Sequence, residues 1–412
     1  MHFVLRWLTS LALVASVVAL PRWCAADPVA DPVADLEAYL QQDDGGKLVE
    51  QPFAAAALSK EQADAAAQLL RSAHRQRIRR ERAEEMQARQ VPTGATPMKF
   101  AYQVFGDKPA GGRSLYLSLH GGGGAPPRVN DSQWQNQQRL YQPEEGIYLA
   151  PRAPADTWNL WHIAAVDAGF DRLIENLIVF EEVDPNRVYL MGYSAGGDGV
   201  YQVAPRMADR FAAASMMAGH PNEASPRGLR NLPFSIHVGE NDGAYSRNRV
   251  AAEWGERIAK LKQEDAKGYE HWVKIYADKG HWMDREDRAA VPWMAKFTRD
   301  PLPKRIVWEQ DDVTHTRFYW LAVEQDQTGA RAVLTAERDG QTIELASEQV
   351  ERVTVRLNDA MLDLDQPVTI RFNGKQVYSG QPQRTTATLA RTLAERGDPT
   401  SMFSAEVTVE AP

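Results

Sequence analysis

Between about residue 98 and residue 281, short apolar segments alternate with amphipathic ones, and this alternation leaves few folds open. "KFAYQVFG", "SLYLSLHG" (114–121), "GIYLAPRAP" (146–154), "RVYLMGYS", "AAASMMAG" (212–219), "PFSIHVGEND" (233–242) and "EHWVKIYADKGH" (270–281) have strand length and strand composition. Between them, "DAGFDRLIENLIVFEEV" (167–183) places Phe170, Leu173, Ile174, Leu177 and Ile178 on one helical face. "GDGVYQVAPRMADRF" and the stretch from about 246 to 263 read as further helices. Strands that take turns with helices build a mostly parallel sheet covered on both faces. The fold class expected is therefore α/β.

The flanks differ in texture. From about 304 onward the segments "RFYWLAVEQ", "RAVLTAERDGQTIELAS", "RVTVRLND", "PVTIRFNGKQVYSG" and "FSAEVTVEAP" alternate with period two, and Asn373-Gly374 is a type I′ hairpin signal. A small β-rich domain is expected over 304–412, arranged as a sandwich, with "TATLARTLAERGD" as its one helix. On the other side, "SKEQADAAAQLLRSAHRQRIRRERAEEMQARQ" (59–90) lacks Gly and Pro, and Ser59 with Gln62 fits a capping box. It reads as a long, mainly solvated helix whose basic stretch, Arg75 to Arg82, is a charged face interleaved with glutamates. The repeat "DPVADPVA" (27–34) reads as a tether. Residues 27–94 are then linker and helical region, and 95–303 the α/β domain.

The first 26 residues read as an export signal. Arg6 is followed by a run of mostly apolar residues from Leu8 to Leu20, then by small residues at Cys24, Ala25 and Ala26. That run is shorter than the roughly 20 residues of a membrane span, so cleavage near Ala26 is expected, with no stable span afterwards. Cys24 is the only cysteine. Cleavage after it leaves a chain without disulfides, without a cysteine nucleophile and without cysteine-ligated metal. The net charge of -8 argues against nucleic acid as a partner.

Chemistry enters at "VYLMGYSAGGDG" (188–199). Gly192-x-Ser194-x-Gly196 stands where a strand hands over to a helix, the context in which flanking glycines let the backbone turn sharply and present a serine hydroxyl. A serine needs a base, and the base an orienting acid. Asp242 ends the strand "FSIHVGE", and His281 follows the next strand in "DKGHWM", so Ser194, Asp242 and His281 can meet at one sheet edge. His271 lies inside a strand, His315 belongs to the β-rich domain, and Asp278 and Asp284 lack the strand-end position of Asp242. The loop "LHGGGGAPP" (119–127) has no G-K-[ST] ending and so is no Walker-type phosphate loop. It suits an oxyanion hole, in which the N–H of Ala195 acts with that of Gly121, Gly122 or Gly123, while His120 shapes the loop. The histidines show no paired metal-ligand spacing, so no metal is expected.

These motifs resemble the α/β-hydrolase superfamily over about residues 95–300. Within it, "DAGFDRLIENLI…VDPNRVYLMGYSAGG" looks like the secreted polyhydroxybutyrate-depolymerase, feruloyl-esterase and predicted-peptidase group. The resemblance implies a secreted serine hydrolase, periplasmic or extracellular, that cleaves carboxylic esters through an acyl-enzyme and needs no metal or organic cofactor. A peptidase with the same triad and a non-catalytic binding protein are the alternatives. The chain has 11 tryptophans, and several fall beside the motifs. Trp158 and Trp161 lie in "TWNLWH" and Trp282 follows His281; Trp161 and Trp282 are the candidate walls for a sugar ring, a phenolic acid or an acyl chain.

Overall fold

The computed structural model describes residues 31–42, 47–94 and 96–412. The expected export signal, with Cys24, lies outside the described residues, as do residues 27–30 of the repeat. The second half of that repeat is no tether. Pro32 opens helix α1 (Pro32–Gln41), in which Pro32 and Leu36 are buried, and a helix with an anchored face cannot act as a free linker. Among the described residues no helix is long and apolar enough to cross a membrane.

Helix α2 (Lys60–Glu81) starts at the expected capping box: Ser59 Oγ accepts from Gln62 N–H and Gln62 Oε1 accepts from Ser59 N–H. It is shorter than its composition suggested, because Arg82 leaves helical geometry (φ -120, ψ 13) before helix α3 (Ala83–Ala88) resumes. It is also less solvated. Ala63, Ala66, Ala67 and Leu70 are buried in a cluster with Leu389 and Leu393.

The central sheet has eight strands in the order β1-β2-β4-β3-β5-β6-β7-β8. These are β1 (Gln90–Val91), β2 (Met98–Phe105), β3 (Arg113–Leu119), β4 (Gly146–Pro151), β5 (Val183–Tyr193), β6 (Ala213–Met217), β7 (Phe234–Gly239) and β8 (His271–Tyr276). Strands β3 to β8 run parallel, and β2 joins β4 antiparallel. Strands β4, β6 and β7 are buried at every residue. Such strands are mostly apolar on both faces, and the buried polar groups of β6 and β7 satisfy one another: Ser215 Oγ and Ser235 Oγ lie 2.7 Å apart, and His237 lies within hydrogen-bond distance of Ser235 and Tyr276. The covering helices are α4 (Pro127–Gln137), α5 (Ala164–Phe180), α6 (Ala195–Arg206), α7 (Arg247–Glu264) and α8 (Ala290–Met294). On α5, Phe170, Leu173, Ile174, Leu177 and Ile178 are all buried. The register sets Leu119 beside Gly192, Tyr193 beside Met217, and His237 beside Lys274. The loops leaving β3, β5, β7 and β8 therefore open along one carboxyl edge of the sheet.

The C-terminal strands form two sheets. One holds β9 (Arg305–Glu309), β12 (Val333–Asp339), β13 (Thr342–Ala346), β15 (Val368–Phe372) and β16 (Lys375–Gly380). The other holds β10 (Arg317–Phe318), β11 (Leu321–Ala322), β14 (Arg352–Leu357) and β17 (Ala405–Glu410). Alternate residues, among them Leu334, Ile343, Ile370, Val353 and Val355, enter one core. Asn373 and Gly374 both take positive φ (49 and 78) between β15 and β16, as a type I′ turn requires. The helix α9 (Thr386–Arg396) packs on α2.

Buried ion pairs fasten these regions to the central sheet. Arg299 and Asp398 pair at 2.5 Å with side-chain exposures of 2% and 0%. Burial alone would raise the Asp398 carboxyl, but Arg299 and Arg210 hold it well below the usual carboxylate range. Removing one member of such a pair strands the other charge without solvent. Asp398→Asn is expected to cost about 3–5 kcal/mol in urea unfolding. Arg352→Ala, which breaks the exposed pairs with Glu324 and Glu410, should cost less than about 1 kcal/mol.

Candidate active site

Strand β5 ends at Tyr193 and α6 starts at Ala195, so the whole turn between them is Ser194. Its backbone takes φ 60 and ψ -122, a region that costs a non-glycine residue on the order of 1–3 kcal/mol. Close approach of its neighbours holds it there. A Cβ on Gly192 would stand 2.2 Å from the Gly196 carbonyl oxygen, and one on Gly196 would stand 2.1 Å from that of Leu119. Ser194 N–H donates to the Met217 carbonyl (2.9 Å), which ties the turn to β6.

The structure brings Ser194, His281 and Asp242 into one hydrogen-bonded chain. His281 Nε2 lies 3.0 Å from Ser194 Oγ, and His281 Nδ1 lies 2.8 Å from Asp242 Oδ2. The Asp242 side chain is 1% exposed and that of His281 42% exposed, so the acid is buried while the base meets solvent. The Tyr193 hydroxyl donates to the His281 carbonyl, and its ring meets the imidazole edge-on at 5.8 Å. The competing histidines go elsewhere. His271 Nδ1 bonds to the Tyr269 carbonyl at the opposite end of β8, and His315 pairs with Asp167.

The glycine loop closes the other side. Gly121 is close enough to the serine that a Cβ on it would lie 3.1 Å from Ser194 Cβ. Gly123 N–H is occupied by Asn130 Oδ1 at 2.8 Å, which leaves Gly121 and Gly122 as the loop donors. Ala195, the first residue of α6, has an N–H with no intrahelical partner. Asn130 was not visible as a site residue in the sequence. It is fully buried on α4 and its Nδ2 donates to the Ala125 carbonyl (3.2 Å) and to Asp156 Oδ1 (2.7 Å). Arg152 in turn holds Asp156 (2.5 Å) and Asp131 (2.9 Å). A polar residue in an exposed-looking helix of sequence "PRVNDSQWQNQ" gives no periodic signal of this role.

Trp161 does not line a substrate pocket. It is fully buried, its Nε1 donates to the His120 carbonyl (3.0 Å), and its ring packs edge-on against His120 at 5.1 Å. It supports the loop from beneath, so a substrate cannot touch it. Trp282 is 49% exposed, with its ring 5.7 Å from that of Tyr193. Trp158 is 66% exposed and backs Gly124. These two, rather than Trp161 and Trp282, are the tryptophans at the rim.

The one group of three or more possible metal ligands among the described residues is Glu223, Asp311 and Asp312, whose carboxylate oxygens lie within 4.8 Å of one another. They lie outside the serine site, and Arg331 already pairs with Asp311 at 3.1 Å.

An eight-stranded, largely parallel sheet with helices on both faces and a serine on the turn after its fifth strand is the arrangement of the α/β-hydrolase fold. Residues 148–304 match the dienelactone hydrolase family. Among solved structures, the chain is similar to a thermostable esterase at 20% identity, over 51% of this chain and 61% of that one, with a TM-score of 0.41. The chain thus matches less than two thirds of that esterase's length. It is also similar to a poly(3-hydroxybutyrate) depolymerase from Bordetella parapertussis (17% identity, 54% of this chain, 93% of that one, TM-score 0.36). A third similarity is to an acetyl xylan esterase from Aspergillus awamori (13%, 50%, 97%, TM-score 0.34). No curated protein matches the chain in sequence.

His120 carries a pH consequence. Its Nε2 accepts from Ala153 N–H (3.1 Å), so Nδ1 carries the proton and donates to the Gly121 carbonyl (2.6 Å). Burial pushes its pKa from 6.5 down to about 4. Between those values the unfolded chain binds the proton and the folded chain does not, so stability is full above about pH 6.5 and falls as pH drops toward 4. His120→Asn should flatten the pH dependence of unfolding free energy across that window by about one proton. Parallel slopes in both proteins would show that His120 does not titrate this way.

Proposed function

We propose that this protein is a serine hydrolase that cleaves carboxylic esters through an acyl-enzyme, with Ser194 as nucleophile, His281 as general base and acid, and Asp242 as the orienting acid. The observation that carries the reading is the continuous chain Ser194–His281–Asp242 at 3.0 and 2.8 Å, built on a strained turn. His281 Nε2 takes the serine proton as Oγ attacks the ester carbonyl carbon. Asp242, held against Nδ1, fixes the tautomer and stabilises the imidazolium. The N–H groups of Ala195 and of Gly121 or Gly122 receive the developing oxyanion. His281 then protonates the departing alcohol, and water, deprotonated by the same imidazole, releases the acid.

The substrate side of the reading rests on Trp158 and Trp282. Both are exposed beside the motif loops, which suits an ester attached to a bulky ring or polymer better than a small free ester. Export follows from the first 26 residues, and we place the working enzyme in the periplasm or outside the cell, with no nucleic acid partner.

The test is hydrolysis of p-nitrophenyl acetate and butyrate, then of feruloyl and acetylated-sugar esters, by the wild-type protein and its variants. Ser194→Ala should lose on the order of 10⁵–10⁶-fold in kcat, and Asp242→Asn about 10⁴-fold. Trp282→Ala should raise KM for the bulky esters about fivefold while leaving acetate within twofold, a difference of about 1 kcal/mol. Unchanged turnover in a folded Ser194→Ala protein would rule the scheme out, and cleavage of matched amides as fast as esters would make it a peptidase.

A further inference from the structure

Helix α7 begins with a cation where a helix favours an anion. Its first residue is Arg247, and its first turn holds no acid. The N-terminal end of a helix carries partial positive charge, so an arginine there is unfavourable for the helix itself. The two residues before it, Tyr245 and Ser246, both sit at φ 56, so the turn is strained as well. Two local rules broken at one place call for a compensating gain nearby.

Asp242 supplies the reason. Its Oδ2 faces His281, but its Oδ1 is buried with no hydrogen-bond partner. A buried carboxylate oxygen without a donor is costly, and the carboxylate is free to turn away from the imidazole unless something holds it. The adjacent amide does not serve, because Asn248 N–H donates to the Asp242 backbone carbonyl (3.1 Å). The charge that faces Oδ1 is Arg247 Nη1, at 3.9 Å, on a side chain that is 11% exposed. Its guanidinium is confined by the Tyr245 ring, 4.8 Å to the centroid, and by the Ala244 carbonyl, 3.4 Å from Nη1. Its Nε is buried and without a partner, and the one bond from Nη1 to the Ala244 carbonyl holds the guanidinium on the Asp242 side of the turn. On the far side lies Asp198, a carboxylate pushed up by burial and drawn down in part by Arg247.

We infer that Arg247 is a positioning residue of the Ser194–His281–Asp242 site: its guanidinium is the counter-charge that faces Asp242 Oδ1 and keeps the carboxylate turned toward His281 Nδ1. The inference rests on the catalytic reading above. It explains why a cation occupies the wrong end of α7 and why the strained turn at Tyr245 and Ser246 is kept. Arg247 touches no substrate, so its loss should slow the chemical step without weakening binding.

The experiment compares wild type with Arg247→Met, Arg247→Lys and Ser194→Ala, each checked for folding by thermal melt. Three quantities are read: the rate of covalent labelling by a fluorophosphonate probe, kcat and KM for p-nitrophenyl acetate, and the downfield proton NMR signal of the His281 Nδ1–H. Arg247→Met should slow both labelling and kcat by about tenfold or more with KM within about twofold, and should shift or lose the downfield signal. Arg247→Lys, which keeps the charge, should stay within about threefold of wild type. Arg247→Gln replaces the Met variant if that one fails to fold. Labelling, kcat and NMR signal all unchanged in Arg247→Met would overturn the inference, as would a rise in KM alone, which would make Arg247 a substrate contact. Failure of the catalytic reading looks different: the wild type is then not labelled at Ser194, and the NMR signal alone still reports whether Arg247 governs the Asp242–His281 bond.

Discussion

The turn at Ser194 depends on contact between backbones, and the rest of the site depends on that turn. Gly192 and Gly196 let β5, the start of α6 and the end of β3 approach so closely that no side chain fits between them. That approach fixes Ser194 at positive φ and sets its Oγ beside the loop leaving β3. It also fixes where Ala195 N–H and the Gly121–Gly122 segment stand relative to one another. His281 and Asp242 can then be supplied by the two strand ends farther along the edge, since the parallel register has already aligned those ends. Strain of this kind persists only where packing over-determines it, and here three elements do so at once.

A second constraint holds the outer regions to the sheet. Helix α5 carries Asp167, Asp171 and Glu175 four residues apart, on one face. Asp167 receives Arg206 in a two-point contact (2.6 and 2.8 Å) and His315 from the C-terminal region (2.8 Å). Asp171 pairs with Arg210, Arg317 and Arg396. Glu175 pairs with His74 (2.8 Å) and Arg82 (2.6 Å) from the N-terminal helices. Burial raises the carboxyls of Asp171 and Glu175, but their cationic partners outweigh it and hold both low. One helix thus turns its apolar face to the sheet and its acidic face to the elements on either side in sequence. The α2–α9 contact closes the arrangement by joining those two outer regions directly.

This explains what the sequence disclosed. Periodicity reports which face of an element is apolar, so the strands, α5 and the paired β-sheets were legible. The strand-to-helix position of Ser194 and the strand-end positions of Asp242 and His281 were legible for a related reason: chain order in a parallel sheet decides which residues share an edge. A charged face can be read from its spacing, but its partners on other elements leave no trace in the sequence. The partners of the α5 acids, those of Asn130 inside α4 and the true extent of α2 were therefore hidden, and the apparent tether at 32–34 was misread for want of a visible partner for Leu36. Trp161 was misjudged because proximity in sequence to a motif does not say on which side of the loop a ring falls. In this chain it falls beneath, where its Nε1 is needed by the His120 carbonyl.

The two sides of the site are stabilised by opposite means. On the oxyanion side the supporting groups are kept neutral or paired: His120 is buried as a neutral ring, and Arg152 is matched by Asp156 and Asp131. Asn130 then ties Gly123 to that paired network without adding a net charge of its own. On the acid side the buried Asp242 has one carboxylate oxygen that no amide serves, and the Arg247 guanidinium faces it. A buried carboxylate oxygen without a donor is costly to leave uncompensated. A cation at the start of α7 offsets that cost, at the expense of the helix it begins. The loss is small, since α7 is long and anchored by Ala251, Trp254 and Ile258, and a helix held by its apolar face tolerates an unfavourable first turn.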